Sequence, residues 1–180
     1  METGDEALAT AAGQGDRAAF ATLVDRHYDR LFRLCWRLTG SADRAEDLAQ
    51  DVCLKLPRAL RGFRGDARFT TWLHSVALNA ARDAGRRDGT RKKAMAAYAA
   101  EAPLATAGGL SAGGEDLGDW LTRALTALKP DLAETAALIV GEEMSQAEAA
   151  EALCVSPGTV AWRMSEVKKA LRKIAEAEDA

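Results

Sequence analysis

Between Phe69 and Arg87 the chain sets hydroxyls, an imidazole, an amide and guanidinium groups at helical spacing: Thr70, Thr71, His74, Ser75, Asn79, Arg82, Arg86 and Arg87, with Asp83 among them. Hydroxyl, amide and guanidinium groups are what contact phosphates and base edges. A second set of such groups, Thr159, Ala161, Trp162, Arg163, Ser165 and Glu166, is followed by Lys168, Lys169 and Arg172 near the other end of the chain. A third stretch is acidic: Asp47, Gln50 and Asp51 flank an apolar Leu54, the mixture of charge and apolar surface that docks a protein partner. Solvated helix faces account for each stretch taken singly, since a basic end complements the helix macrodipole and a single exposed leucine is ordinary.

Enzymatic chemistry finds no support. There is no glycine-rich phosphate loop, no paired catalytic motif and no cluster with metal-ligand spacing, so no catalytic residue, cofactor or small-molecule substrate is expected. Cys35, Cys53 and Cys154 are odd in number and show no CxxC spacing, which fits a reducing cytoplasm better than a disulfide framework. His27 and His74 add no zinc-like pattern. No leader and no bilayer-length apolar run are seen, so a cytoplasmic protein without membrane contact is expected. The net charge of −3 argues against a protein that coats DNA unaided, but the basic groups cluster at 82–93 and 163–173 while the acids gather at 43–51 and 131–151.

The elements that carry these groups read as helices throughout. Residues 1–15 form an alanine-rich lead-in, broken at Gly13 and Gly15. Asp16 caps a helix with Phe20, Leu23, Val24, His27, Leu31, Leu34, Cys35 and Leu38 inward, closed by Gly40. Ser41 caps a second, buried through Ala45, Leu48, Ala49, Val52, Leu56 and Leu60, which Pro57 should kink or end near Lys55. A turn at 62–66 leads into the helix from Phe69, on whose apolar face Phe69, Trp72, Leu73, Val76, Ala77, Ala80 and Ala84 recur. From Asp88 to Gly118 apolar periodicity gives way to Ala, Gly, Pro and Ser, a linker composition. Beyond it Trp120 to Leu128 form a short helix, and Asp131 caps another with Leu132, Ala136 and either Ile139 or Val140 inward. Ser145 and Glu148 make a capping box, Cys154-Val155 a turn, and Ser156-Pro157 the start of a helix buried through Val160, Met164, Val167 and Leu171. Capped helix, tight turn and longer basic helix describe a helix-turn-helix, with an ordinary helical hairpin as the alternative. The fold class is therefore all-α: two small helical domains joined by a flexible linker, the C-terminal one a helix-turn-helix, with boundaries 1–90, 91–117 and 118–180.

The run AFATLVDRHYDRLFRLCWRLTG, then AEDLAQDV, then FRGDARFTTWLHSVALNAARDAGRR resembles region 2 of bacterial RNA polymerase sigma factors, the extracytoplasmic-function group above all, and residues 120–173 resemble region 4. The resemblance implies that Asp47, Gln50, Asp51 and Leu54 face core RNA polymerase. It implies that Phe63, Arg64, Phe69, Thr70, Trp72, His74, Ser75, Asn79 and Arg82 lie at or near the unwound minus-ten DNA, whereas the apolar stripe puts Trp72 in the core and leaves Phe69 open between core and DNA. It also implies that Thr159, Ala161, Trp162, Arg163, Ser165, Glu166, Lys168 and Lys169 read the minus-thirty-five element. Pro57 stands where a bulky aromatic is frequent, and Cys154 where a glycine is. The function implied is a dissociable initiation subunit that recognises and melts promoters, with promoter DNA and core polymerase as partners and an anti-sigma protein as regulator. An independent helix-turn-helix regulator and a sigma-like decoy for an anti-sigma protein are the alternatives.

Overall fold

The structure, a computed structural model, describes residues 3–98 and 117–178. Eight α-helices follow one another in these segments: α1 (Asp5–Gly13), α2 (Arg17–Thr39), α3 (Ala42–Ala59), α4 (Phe69–Tyr98), α5 (Leu117–Thr126), α6 (Pro130–Ala136), α7 (Gln146–Leu153) and α8 (Pro157–Glu178). A 3₁₀ turn, Leu60–Gly62, follows α3, and a π turn, Ala137–Gly141, follows α6.

The N-terminal half packs α1, α3 and α4 around α2. Asp16 caps α2 by accepting from the amides of Ala18 and Ala19, and Gly40 ends it in the left-handed region at φ 67°. Leu23, Leu34, Val52, Leu60, Phe69 and Leu78 fill the centre. Pro57 does not end α3. It sits in the last turn, where one missing amide donor interrupts little, and the helix runs on to Ala59. Helix α4 likewise passes Arg87 and continues to Tyr98, so the backbone stays helical for some ten residues after apolar periodicity is lost at Asp88. Gly85 and Gly89 are exposed with open space around them, and the Arg-, Lys- and Ala-rich sequence that follows has high intrinsic helix propensity. The rest of the expected linker, 99–116, lies outside the described residues.

In the C-terminal half the Ser145–Glu148 capping box forms as the spacing predicts, and Ser156 accepts from the amide of Thr159 at the start of α8. Cys154 holds the intervening turn at φ 56°. Asp131 does not cap α6: Lys129 occupies that position and Pro130 the first turn. Through the π turn Ala137 and Leu138 are buried, Ile139 packs half-buried against the core as one of the two residues expected inward, and Val140 is exposed.

The two halves are packed on each other. Helices α5 and the π turn lie against α2, and α7 lies against α4, so one continuous apolar cluster includes Leu34 and Leu78 on one side and Leu125, Leu138 and Met144 on the other. Gly40 and Gly141 permit the approach. A Cβ on Gly40 would stand 2.3 Å from Thr126 Cγ2, and one on Gly141 would stand 2.6 Å from the Arg37 side chain.

Candidate nucleic-acid interface

Helix α3 buries Leu48, Ala49, Val52 and Leu56 and turns Asp47, Gln50, Asp51 and Leu54 away from that stripe. Leu54 is 81% exposed. Lys55 Nζ donates to Asp51 Oδ2 at 2.5 Å, and Gln50 donates to Glu46 Oε1 at 3.2 Å. Asp47 and Asp51 also line a groove of about 1010 Å³ shared with Arg86 and Arg87 of α4 and Ala133 of α6.

The residues singled out between Phe63 and Arg82 divide into three environments. Phe63, half-buried, meets Trp72 edge-on at 5.2 Å and Phe69 at 6.1 Å between ring centroids. Phe69 itself is fully buried, its ring also 5.1 Å from that of His27. It is a core residue and is closed to a stacking base in this arrangement, because it begins α4 at the centre of the N-terminal half. Arg64 is exposed and pairs with Asp66 at 3.2 Å. Thr70 and Ser75 are half-buried, with Ser75 Oγ donating to the Trp72 carbonyl at 2.7 Å.

His74 departs most from the exposed position its spacing predicts. It is 2% exposed, with Nδ1 3.3 Å from Met144 Sδ and Nε2 3.6 Å from Glu142 Oε2. Helix α4 is covered on two sides, by the N-terminal core and by α7, and only the first cover is visible as an apolar stripe. Burial, with Arg30 and His27 adding to it, pushes the His74 imidazole down to about 4. The Glu142 carboxylate would favour the imidazolium, but two guanidinium groups already neutralise it, so burial decides and the ring is neutral at pH 7. Asn79 is exposed and accepts from Arg82 Nη1 at 3.4 Å. Arg82 Nε and Nη2 donate to the two carboxylate oxygens of Glu134, at 2.9 and 2.6 Å, so this arginine faces the C-terminal half.

On α8, Trp162 is 59% exposed, Ala161, Ser165, Lys168 and Lys169 are exposed, and Thr159 and Glu166 are half-buried. Lys169 Nζ donates to Glu166 Oε1 at 2.8 Å. Arg163 turns inward. Its side chain is 15% exposed and lies 3.7 Å from Asp131 Oδ2 and 3.5 Å from Thr135 Oγ1, bracing α8 against α6 rather than pointing outward.

Four residues that matter to this surface carry no motif: Arg30, Arg37, Glu134 and Glu142. Arg30 Nε and Arg37 Nη1 each donate to the Glu142 carboxylate at 2.6 Å, and Arg30 Nη2 reaches the Glu142 carbonyl at 3.1 Å. The Glu142 side chain is 3% exposed. The one available signal is that Arg30 and Arg37 are seven residues apart, on one face of α2. Burial pushes the Cys35 thiol up to about 12, Cys53 adding to it, which makes it inert. Among the described residues no cluster fit to hold a metal ion occurs, and no helix is long and apolar enough to cross a membrane.

Residues 23–91 match the family Sigma-70 region 2. The chain is 30% identical to the ECF RNA polymerase sigma-E factor of Escherichia coli over 179 residues, covering 93% of this chain and 92% of that one. It is 31% identical to the ECF RNA polymerase sigma factor SigE of Mycolicibacterium smegmatis, over 96% of this chain and 69% of the relative. It is 29% identical to the ECF RNA polymerase sigma factor SigW of Bacillus subtilis, over 89% and 90%. The structure is similar to that of CnrH in complex with the cytosolic domain of CnrY, at a TM-score of 0.69 and 25% identity over 96% of this chain and 97% of that one. In fold it is similar to the sigma factor RpoE in complex with the anti-sigma factor NepR from Bartonella quintana, at a TM-score of 0.69 and 23% identity over 87% and 96%.

Proposed function

The chain belongs to the extracytoplasmic-function sigma factors of RNA polymerase, and from that premise we propose that it binds core RNA polymerase, recognises and melts promoter DNA, and so directs transcription initiation. The observation that carries the reading is the order of surfaces along the chain: an acidic helix face with an exposed leucine, a polar and basic α4, and a capped helix-turn-helix with an exposed basic α8. Asp47, Gln50, Asp51 and Leu54 dock on the polymerase. Phe63, Arg64, Thr70, Ser75, Asn79 and Arg82 meet the minus-ten element, His74 reaches it only once the halves have rearranged, and Phe69 backs that surface from within the core of the N-terminal half. Thr159, Ala161, Trp162, Ser165, Glu166, Lys168 and Lys169 meet the minus-thirty-five element, with Arg163 set behind them. Residues 1–90 and 118–180 act as two reading units, and 91–117 spans between them. The protein supplies no catalysis of its own and works in the cytoplasm beside the polymerase. An anti-sigma protein is its regulator.

Run-off transcription with purified bacterial core polymerase on a library of promoter fragments tests this. Transcripts that depend on the protein and share two upstream motifs are expected. Polymerase binding without transcription from any fragment would favour a decoy, and absence of polymerase binding would favour an independent DNA-binding regulator.

A further inference from the structure

Four ion pairs between the halves run the same way. The cation belongs to the N-terminal half and the acid to the C-terminal half: Arg30 and Arg37 with Glu142, Arg82 with Glu134, and Arg68 with Glu148. Three of these arginines belong to the packed helices α2 and α4: Arg30 and Arg37 share the Glu142 carboxylate, and Arg82 holds that of Glu134. The neutral His74 ring, 3.6 Å from Glu142, adds no charge. Separation of the halves would take from all three guanidinium groups the carboxylates that pair with them here. That surface repels itself and is completed by an anion. The carboxylates show which geometry it accepts: Arg82 holds both oxygens of Glu134 in a fork at 2.6–2.9 Å, and Arg30 and Arg37 each hold one oxygen of Glu142 at 2.6 Å, arrangements a phosphodiester meets as well as a carboxylate does. Arg82 also bonds Asn79, so the cradle is continuous with the proposed minus-ten surface.

We propose that Arg30, Arg37 and Arg82 form a cradle for the phosphates of promoter DNA, and that Glu142 and Glu134 occupy it in the closed chain as stand-ins for those phosphates. The C-terminal half thereby masks a DNA site of the N-terminal half, and opening exchanges two carboxylates for the nucleic-acid backbone. This rests on the sigma-factor reading above, but it adds residues of α2 to the DNA surface and an internal competitor to the mechanism.

The test uses the full chain and a fluorescein-labelled DNA with a duplex upstream arm and a single-stranded downstream arm. Phosphate contacts are indifferent to sequence, so no known promoter is needed. Binding is followed by anisotropy over a salt series for wild type, E134A/E142A, and E134A/E142A with R30Q/R37Q, each checked for native helicity. The first variant is expected to bind at least about tenfold tighter than wild type. Adding R30Q/R37Q should abolish that gain and flatten the plot of log affinity against log salt by roughly 1.4–1.8, two phosphate contacts' worth. If the arginines serve only to latch the halves, R30Q/R37Q opens the chain too and leaves the tight binding and its salt slope intact, which overturns the proposal. So does an E134A/E142A variant no tighter than wild type. Should R30Q/R37Q lose its helicity, R30K/R37K keeps the charge and removes the planar, multiply donating guanidinium: a several-fold loss at unchanged slope supports the cradle, and unchanged affinity overturns it. Run-off transcription by the wild type is scored separately. Its failure counts against the sigma-factor reading, while an unaltered salt slope counts against the cradle alone.

Discussion

Leu54→Ala separates docking from folding more cleanly than any other single change. The side chain is 81% exposed, on the side of α3 opposite Leu48, Ala49, Val52 and Leu56, so nothing in the fold depends on it. Alanine is also at least as good a helix former as leucine. The variant should therefore melt within about 1 °C of wild type, because an exposed substitution in a chain this long moves stability by no more than a few tenths of a kcal/mol. Docking is different. Full burial of a leucine is worth roughly 1.5–3 kcal/mol, and alanine keeps only the first carbon of the side chain. A loss of about 1–2 kcal/mol follows, or roughly 5–30-fold in Kd for core polymerase. The neighbouring Asp51 is held by Lys55 and stays in place, so the loss is apolar and should change little between low and high salt. The assay is a titration of labelled protein with core enzyme, paired with a thermal melt. A Kd within twofold of wild type in a natively melting variant would refute the docking assignment. A melting point several degrees lower would refute the premise that this residue is free surface.

Three further outcomes are expected. Gly40→Ala should destabilise the protein by about 1–2 kcal/mol from left-handed strain alone, and further through the 2.3 Å approach to Thr126. Adding Thr126→Ser should recover the second part in thermal melts, and no recovery would mean that the halves do not meet there. Because His74 titrates near 4 in the fold against an ordinary 6.5, the unfolded chain takes the proton first. Stability is therefore complete above about pH 6.5 and falls as pH drops toward 4, by up to about 3 kcal/mol, and denaturant midpoints across that range should lose this slope in His74→Phe. Trp162→Ala should weaken duplex DNA binding by about 1–2 kcal/mol at unchanged melting temperature, whereas Arg163→Ala should lower the melting temperature by a few degrees through its lost contacts with α6. Equal melting of the two variants would overturn that distinction.

What the sequence made legible were features whose cause lies within a turn or two of the residue. Asp16, Ser145 and Ser156 cap helices because their side-chain oxygens reach amides two or three residues on, and Gly40 closes α2 because its φ is positive. Apolar stripes on α2 and α3 came out nearly residue for residue. What stayed hidden depends on a second partner. Leu78 and His74 are buried because α4 is sandwiched, and a helix sandwiched between two elements shows no single stripe. Arg82 and Arg163 look like DNA readers in a list of basic residues, yet each has a carboxylate across a helix contact, at Glu134 and Asp131. Arg30 and Arg37 belong to no motif and become notable only when Glu142 arrives from more than a hundred residues away.

The way the halves are joined bears on whether they can part. A buried ion pair gains little net stability, since the Coulombic attraction is largely cancelled by desolvation of both partners. Glu142 in its cradle and Glu134 on Arg82 therefore fix register more than they add strength. The net hold comes from the apolar part of the contact, where Leu125, Leu138 and Met144 meet the N-terminal core. Contacts between parts of one chain tend to be of this moderate kind, and motion between them is the ordinary expectation. A competitor that offers anions to the arginines removes the register without having to overcome the whole interface. Promoter DNA offers anions in a row, and on the docking proposed above a polymerase that held α3 and the helix-turn-helix at separate sites would supply the rest of the work. On the cradle proposal the acidic net charge of −3 has a physical role: it disfavours DNA on the closed chain, whose cations are covered, and leaves DNA binding to the open one.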